Sequence, residues 1–591
     1  MRLFAAALAW ALPAIAQQIC APTPAYSPCE IVFELDDAEA KAHPNPYLTV
    51  DLRAELRSPR ARTILMPAYW DGGRRMVIRF SPMDPGTWDF RLTSNLERFN
   101  GKLGQLQATE SADQGFLQRA NVHHWRYTES LKAHLWMGDA FHEFATAPPA
   151  QFDVYAEARG KQKFTHVRGF VLGRPGEEKR AFASPDQPMP AFFQQLDKRV
   201  LALNQQGMFA DLILAHDGKQ LTTLFTSWQQ RERFLKYIVS RYAAFHITWQ
   251  LLHEFESFDD SRTLLKEMGE LVKKMDPYQH PRATGTTATT GPLAPDAWMS
   301  YVNHHTPDDA IGAIEHHVFP APFVNTGFAS EQDGPDVFRK RLWNTSMNGQ
   351  YPSAMLNPAA PDSPSAKAMA AWQEFFARTR YWELEPYYDI DGARCLALPG
   401  TEYIVYIEKS GYAELLIEKH GYDVFWFNPR TGELTKEKKE YKGEKYFAEA
   451  PTKTDDWVLH LSREGRKEGM LRSYKFESRP NLMQEIEQNP TKMPFEILQP
   501  ATDPFSVSKP PKYEVKLKRE TRGTREMRYL WTGEVPTEGR GYRVLGTGAQ
   551  GTLQIPESLA KIFPAVFNMR IYAINAVGKV YSVDQVHRLA K

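Results

Sequence analysis

Three rhythms of apolar and polar positions succeed one another along this chain. From about residue 28 to 108 they alternate with a period of two, in Glu30-Ile-Val-Phe-Glu-Leu35, Leu48-Thr-Val-Asp-Leu-Arg-Ala-Glu-Leu56 and Arg75-Met-Val-Ile-Arg-Phe80. That is the spacing of strands with one buried face. Turn signals at Asp71-Gly-Gly73 and Asp84-Pro-Gly86 separate these runs, and Gly86-Thr-Trp-Asp-Phe-Arg-Leu92 closes the set. Short strands at regular spacing, with no helical pattern between them, predict a β-sandwich over residues 28–110.

From 116 to 385 short apolar runs alternate with amphipathic helices such as Gln229–Ala244 and Ser261–Met275. Eight runs read as strands: Ala133–Ala140, Phe164–Arg168, Phe209–Asp217, Ile247–Glu254, Arg282–Gly285, Met299–His304, Phe323–Thr326 and Tyr351–Leu356. Eight such units in roughly 270 residues predict a (β/α)₈ TIM barrel, which needs about 250. A doubly wound sheet would carry a glycine-rich phosphate turn, and none is present. Alternation with period two then returns. Glu402–Ile407, Tyr422–Phe427 and Asp456–Leu461 predict a second sandwich over 386–478. A polar stretch around 463–492 reads as a linker, and Tyr513–Leu517 and Met569–Asn575 predict an immunoglobulin- or fibronectin-like sandwich over 493–591. The expected fold class is thus multidomain: a barrel flanked by one N-terminal and two C-terminal β-sandwiches.

Composition narrows the partners. Lys+Arg 72 against Asp+Glu 71 gives a net charge of +1, which argues against nucleic acid or an anionic membrane as partner. Residues 1–16 read as a signal peptide: Arg2, an apolar stretch too short to span a bilayer, and the small-x-small site Ala14-Ile-Ala16. Cleavage near Ala16 implies a secreted or periplasmic protein, and no later segment predicts a membrane span. A monomer is expected. Of the three cysteines, Cys20 and Cys29 are near enough to close a small loop in an oxidising compartment, leaving Cys395 as a buried thiol. No Cys-x-x-Cys pair supports zinc. The pairs His123-His124, His304-His305 and His316-His317 do not form a cage, because neighbours on a strand point to opposite faces. No metal and no cofactor are expected.

The candidate chemistry lies at strand ends. Ile247-Thr-Trp-Gln-Leu-Leu runs into His253, Glu254 and Glu256, and Phe323-Val-Asn-Thr-Gly-Phe-Ala-Ser leads to Glu331. Carboxylates just past the C-terminal ends of barrel strands sit at the mouth where chemistry is done, and glycoside hydrolysis needs two of them. On an extended strand Glu254 and Glu256 would face the same way, so repulsion would raise a pKa and Glu256 competes for the acid role. Arg168, after the second strand, would hold a nucleophilic carboxylate ionised or form a structural ion pair. Asp139 would bond a sugar hydroxyl or cap a helix. His216, Asn303, His304 and His305 stand at other strand ends as candidates for hydroxyl recognition. Trp249 reads as core, and Trp70, Trp88, Trp426 and Trp457 as sandwich packing.

With these pieces placed, the chain resembles an apiosidase-like glycoside hydrolase of the clan-A barrel type, preceded by a β-sandwich of unknown function and followed by one named for collagen binding. The N-terminal resemblance rests on Asn45-Pro-Tyr47, Tyr69-Trp-Asp-Gly72 and Gly86-Thr-Trp88. In the barrel it rests on Met137-Gly-Asp139, Trp249 to Glu254, and Val324-Asn-Thr326 through Glu331. In the next domain it rests on Trp426-Phe-Asn-Pro-Arg-Thr-Gly432 and Asp456-Trp-Val-Leu459. The resemblance implies Glu254 as general acid/base and Glu331 as nucleophile of a retaining enzyme acting on a polysaccharide or oligosaccharide. Two departures stand out: His253 occupies a place where such barrels commonly carry Asn, and Gly327 a place where relatives often carry an acidic residue. The alternative is a catalytically degenerate, secreted carbohydrate- or matrix-binding protein. A serine hydrolase is disfavoured by the lack of a Gly-x-Ser-x-Gly elbow, and a zinc protease by the lack of a second histidine after His253-Glu254.

Overall fold

The computed structural model describes residues 17–463 and 486–590, apart from 259–260, 410, 501–502, 522, 525, 537–540, 558 and 560–561. The expected signal peptide and most of the expected linker lie outside the described residues.

The centre of the molecule is a near-closed barrel of eight parallel strands: β1 (Gly138–Ala140), β2 (His166–Phe170), β3 (Phe209–Ala215), β4 (Ile247–Leu252), β5 (Arg282–Ala283), β6 (Val302–His304), β7 (Phe323–Asn325) and β8 (Tyr351–Ala354). The ladder runs β5-β4-β3-β2-β1-β8-β7-β6. Every pairing in it is parallel. Between β5 and β6 the wall closes through single bonds: the Ser300 amide donates to Arg282 O at 2.8 Å, and Asn303 Nδ2 donates to Thr284 O at 2.7 Å. The strands β2, β3 and β4 are buried at every position, as expected of parallel strands covered on both faces. All eight sequence-predicted strands are present, and several end earlier than the apolar runs suggested.

Helices cover the outside: α1 (Pro149–Lys161), α2 (Pro190–Gln205), α3 (Trp228–Tyr242), α4 (Ser261–Met275), α5 (Asp309–Val318), α6 (Pro335–Met347) and α7 (Pro364–Phe376). Their starts are written locally. Ser227 and Gln230 form a capping box on α3, and Ser363 caps α7 with Pro364 in its first turn. On α4 the buried Leu264, Leu265, Met268 and Val272 recur at helical spacing against the barrel.

Two antiparallel-rich sheets, of four and five strands, precede the barrel. Buried guanidiniums tie them to its helices: Arg79 bonds Glu30, Asp197 and Arg241 O, while Arg241 bonds Asp197 and Asp71. Cys20 and Cys29 form a disulfide in this region. An eight-stranded sheet over Glu385–Ser462 follows the barrel and buries Cys395. Sheets of six and three strands complete the chain around a separate core containing Trp531, Phe567 and Met569.

Candidate active site

β4 ends at Leu252, and the next two residues are pinned to the end of β3. The His253 amide donates to Ala215 O and His216 O at 3.0 Å, and the Glu254 amide to His216 O at 2.9 Å. This fixes Glu254 at the C-terminal mouth, its side chain 37% exposed. Its Oε2 accepts from Ser257 Oγ at 3.1 Å, and its Oε1 lies 4.0 Å from His253 Nε2.

A group of imidazoles gathers around His253 beside this carboxylate. The His253 ring lies 4.7 Å from His142, 5.5 Å from His216 and 5.4 Å from Phe170. His305 Nδ1 is 3.1 Å from Thr326 Oγ1. Burial pushes His253 down to about 2, with His142 and the Arg168 cation adding to the effect, and burial holds His142 at about 3. His305 keeps open surface, yet crowding by protein and Arg168 lower it, with Glu254 opposing. A neutral imidazole offers one N–H and one lone pair, the donor–acceptor pair that a sugar hydroxyl needs.

Glu256 goes elsewhere. The strand does not continue through it: Phe255–Ser257 form a 3₁₀ turn that breaks the two-residue alternation. The expectation that Glu254 and Glu256 face the same way therefore fails. The Glu256 carboxylate accepts from Thr286 Oγ1 and from the Thr287 amide at 3.1 and 3.2 Å. Although part of the side chain reaches solvent, the desolvated setting of its carboxyl raises it to about 7, opposed by these hydrogen bonds. Repulsion by Glu254 is not the cause. Beside it lies a cavity of about 180 Å³ lined by Phe255, Glu256, Arg262 and Thr287 from the barrel and by Tyr542 and Pro556 from the last β unit.

Glu331 stands on the same face of the barrel, in a 3₁₀ turn after β7. Its Oε2 accepts from the Asn357 amide and its Oε1 from Ser363 Oγ, both at 2.6 Å, so its carboxylate is held by the loop after β8. At Gly327, closer to the strand end, a Cβ would meet the His305 ring at 2.7 Å.

Several other expectations are corrected by burial. Asp139 is fully buried; it pairs with Arg159 Nε at 2.6 Å and accepts from Tyr155 Oη and the Leu356 amide at 2.9 Å, so it joins β1, α1 and the β8 loop and cannot meet a sugar. Arg168 pairs with Asp211 inside the barrel at 2.5 Å and not with a nucleophile, although its charge is felt by the imidazoles above. Asn303 is buried, donating to Gln250 Oε1 and Thr284 O. His304 is buried against Glu315 Oε2 at 2.8 Å and Gln350. Both lie within β6 and are covered, Asn303 against Gln250 of β4 and His304 against Glu315 of α5, whereas His216, His253 and His305 follow strand ends. Trp249 is core, its indole N–H donating to Asp276 at 3.0 Å.

His142 is the mouth residue that sequence reasoning missed. It follows β1 by two positions, so the rule that selected His216 and His253 would also have selected it. Among the described residues, the imidazoles of the mouth do not bring three ligand atoms together as a metal would need; the group that does so is His123, His316 and Glu385, elsewhere in the molecule.

Three known families match the chain in order along its length: a domain of unknown function, DUF5060, over residues 23–95; "Apiosidase-like, catalytic domain" over 123–334; and "Putative collagen-binding domain of a collagenase" over 390–462. Among solved structures, the chain is similar to one described as a "putative glycoside hydrolase" from Bacteroides vulgatus ATCC 8482. The TM-score is 0.62 at 17% identity, covering 75% of this chain and 99% of that one. A glycoside hydrolase family 5 structure from the same organism gives 0.51 at 10% identity, covering 60% and 94%. At such identities the likeness is one of fold. No curated protein matches the chain.

Proposed function

With an apiosidase-like catalytic domain set between a DUF5060 domain and a collagen-binding-type domain, we propose that this protein is an exported glycoside hydrolase that cleaves a polysaccharide or glycan. The observation that carries the reading is Glu254: a half-exposed carboxyl, pinned just past β4 at the barrel mouth among imidazoles poised to bond hydroxyls. In this reading Glu254 is the general acid/base and Glu331 the nucleophile of a retaining reaction. Both oxygens of Glu331 are hydrogen-bonded, which fixes the direction in which a nucleophile there would point. His142, His216, His253 and His305 orient sugar hydroxyls around the pair, and the flanking β units act as sandwiches that carry the barrel to its substrate. No protein group here needs a metal or cofactor for this chemistry.

The second reading, a carbohydrate-binding protein on a degenerate barrel, is favoured by one observation: the contact between Gly327 and His305 leaves no side chain where relatives place a carboxylate. Reducing-sugar release from a panel of plant and microbial polysaccharides separates the two. Turnover by wild type that is lost in Glu254→Ala supports the hydrolase. Binding of a glycan in the panel without turnover supports the degenerate barrel.

A further inference from the structure

On the side of the barrel away from the mouth, three segments remote in sequence meet. His123 lies in the turn before the strand His124–Tyr127, His316 in the last turn of α5, and Glu385 on the strand Glu385–Tyr387 that leaves the barrel. One ligand atom from each lies within 4.8 Å of the other two, and among the described residues no other three histidine, cysteine or acidic groups converge so. We propose that His123, His316 and Glu385 bind a divalent transition-metal ion of the zinc class, with His124 as a fourth ligand.

The geometry gathers three imidazoles on one carboxylate. His123 Nδ1 stands 3.1 Å from both Glu385 oxygens. His316 Nε2 is 3.1 Å and His124 Nε2 3.4 Å from the same carboxylate, yet both nitrogens are buried with no hydrogen-bond partner. Three imidazoles, each no more than 5% exposed, thus turn ring nitrogens towards one carboxylate. An ion with bonds of about 2.0–2.2 Å requires these atoms to close by roughly an ångström, within the reach of side-chain rotation. Two to three nitrogens and a carboxylate oxygen are the donor set of tetrahedral zinc.

The surroundings prepare the ligands. Tyr351 Oη lies 2.8 Å from His124 Nδ1, an outer partner that fixes the ring with Nε2 inward. Gly349 completes the cradle, since a Cβ there would lie 2.4 Å from His316 Nε2. An ion here would join the entry to the barrel, α5 and the exit from it.

The test uses the full chain, stripped with a chelator, dialysed and titrated with Zn²⁺ or Co²⁺. One equivalent of zinc retained by wild type, a tetrahedral Co²⁺ visible spectrum displaced by Zn²⁺, and a zinc-dependent rise in Tm are expected. His316→Ala and Glu385→Gln should weaken binding ~100-fold or more, and Tyr351→Phe, which keeps every ligand, by roughly 10- to 100-fold. Wild type that retains no zinc after dialysis, or affinity unchanged in both Glu385→Gln and Tyr351→Phe, overturns the proposal. Should His316→Ala fail to fold, the wild-type stoichiometry and Tyr351→Phe still decide it. None of these readouts depends on glycosidase activity.

Discussion

Gly327 and His305 occupy one space: a Cβ built on Gly327 would lie 2.7 Å from His305 Cγ and 2.8 Å from its carbonyl carbon. The imidazole after β6 therefore stands where any residue at 327 would begin its side chain. Glycine and histidine at these two positions are a single packing choice, and a side chain at 327 has no room to start.

A methyl group at this point must displace the ring or the strand end beneath it. Gly327→Ala is expected to destabilise the protein by about 1–3 kcal/mol, the usual range for overpacking. Adding His305→Ala should recover part of the loss but not all, because a backbone atom is also in the way. Denaturant midpoints of the three variants check this; an unchanged midpoint in Gly327→Ala would remove the contact from the account of the site.

Asp139 separates a structural from a substrate-binding role. Its carboxylate and the Arg159 guanidinium are both fully buried and bonded to each other. Removing one partner leaves the other charged and without compensation, which typically costs about 3–5 kcal/mol. Asp139→Ala should accordingly lower thermal stability sharply. In the folded fraction KM should stay as in wild type, and a raised KM with wild-type stability would restore the sugar contact.

How much of this could be read from the sequence follows from range. The eight strands were legible because short runs, the clearest of them the mainly apolar β3 and β4, alternate with amphipathic helices, and the position of Glu254 just past β4 needs only the end of that strand. What failed is what depends on the residues after the run. The apolar pattern gave no sign that β4 stops at Leu252 and turns at Phe255, so Glu256 was assigned the wrong direction. Asn303 and His304 were assigned to the mouth although they end β6 inside the wall. The meeting of His123, His316 and Glu385 was not legible at all. The alternation rule holds only on strands, whereas His123 lies in a turn and His316 on a helix, and the contact is set by tertiary packing across more than half the barrel.

The displaced Glu256 gives a pH signature. Its carboxyl is raised from 4.5 to about 7 in the folded protein, chiefly by desolvation. The native state therefore holds a proton that the unfolded chain releases between these values, so this group's contribution is full below about pH 4.5 and is lost as pH rises through 7. Glu256→Gln keeps the hydrogen-bonding shape without the titration. The stability of wild type relative to Glu256→Gln should fall from pH 4.5 to pH 7 and level off above it. Parallel stability–pH curves for the two proteins would show that Glu256 titrates normally.

The two carboxylates of the proposed reaction should fail in different ways. Glu331→Ala would remove the nucleophile and the covalent intermediate, leaving almost no turnover on any substrate. Glu254→Ala would remove the proton donor. A substrate with a good leaving group should then keep a relatively fast first step, and the glycosyl-enzyme should accumulate because water lacks its general base. Added azide should restore the second step, since a small anion needs no base, and the product would be a glycosyl azide with retained configuration. Glu256→Gln, whose carboxylate is turned towards Thr286 and Thr287, should keep the wild-type profile on both substrate types. Wild-type activity in Glu331→Ala would exclude Glu331 as the nucleophile. Azide rescue of Glu331→Ala with inverted configuration, and none for Glu254→Ala, would place the nucleophile at 331 and remove the acid/base from 254. The leaving-group dependence thus tests each residue's role separately.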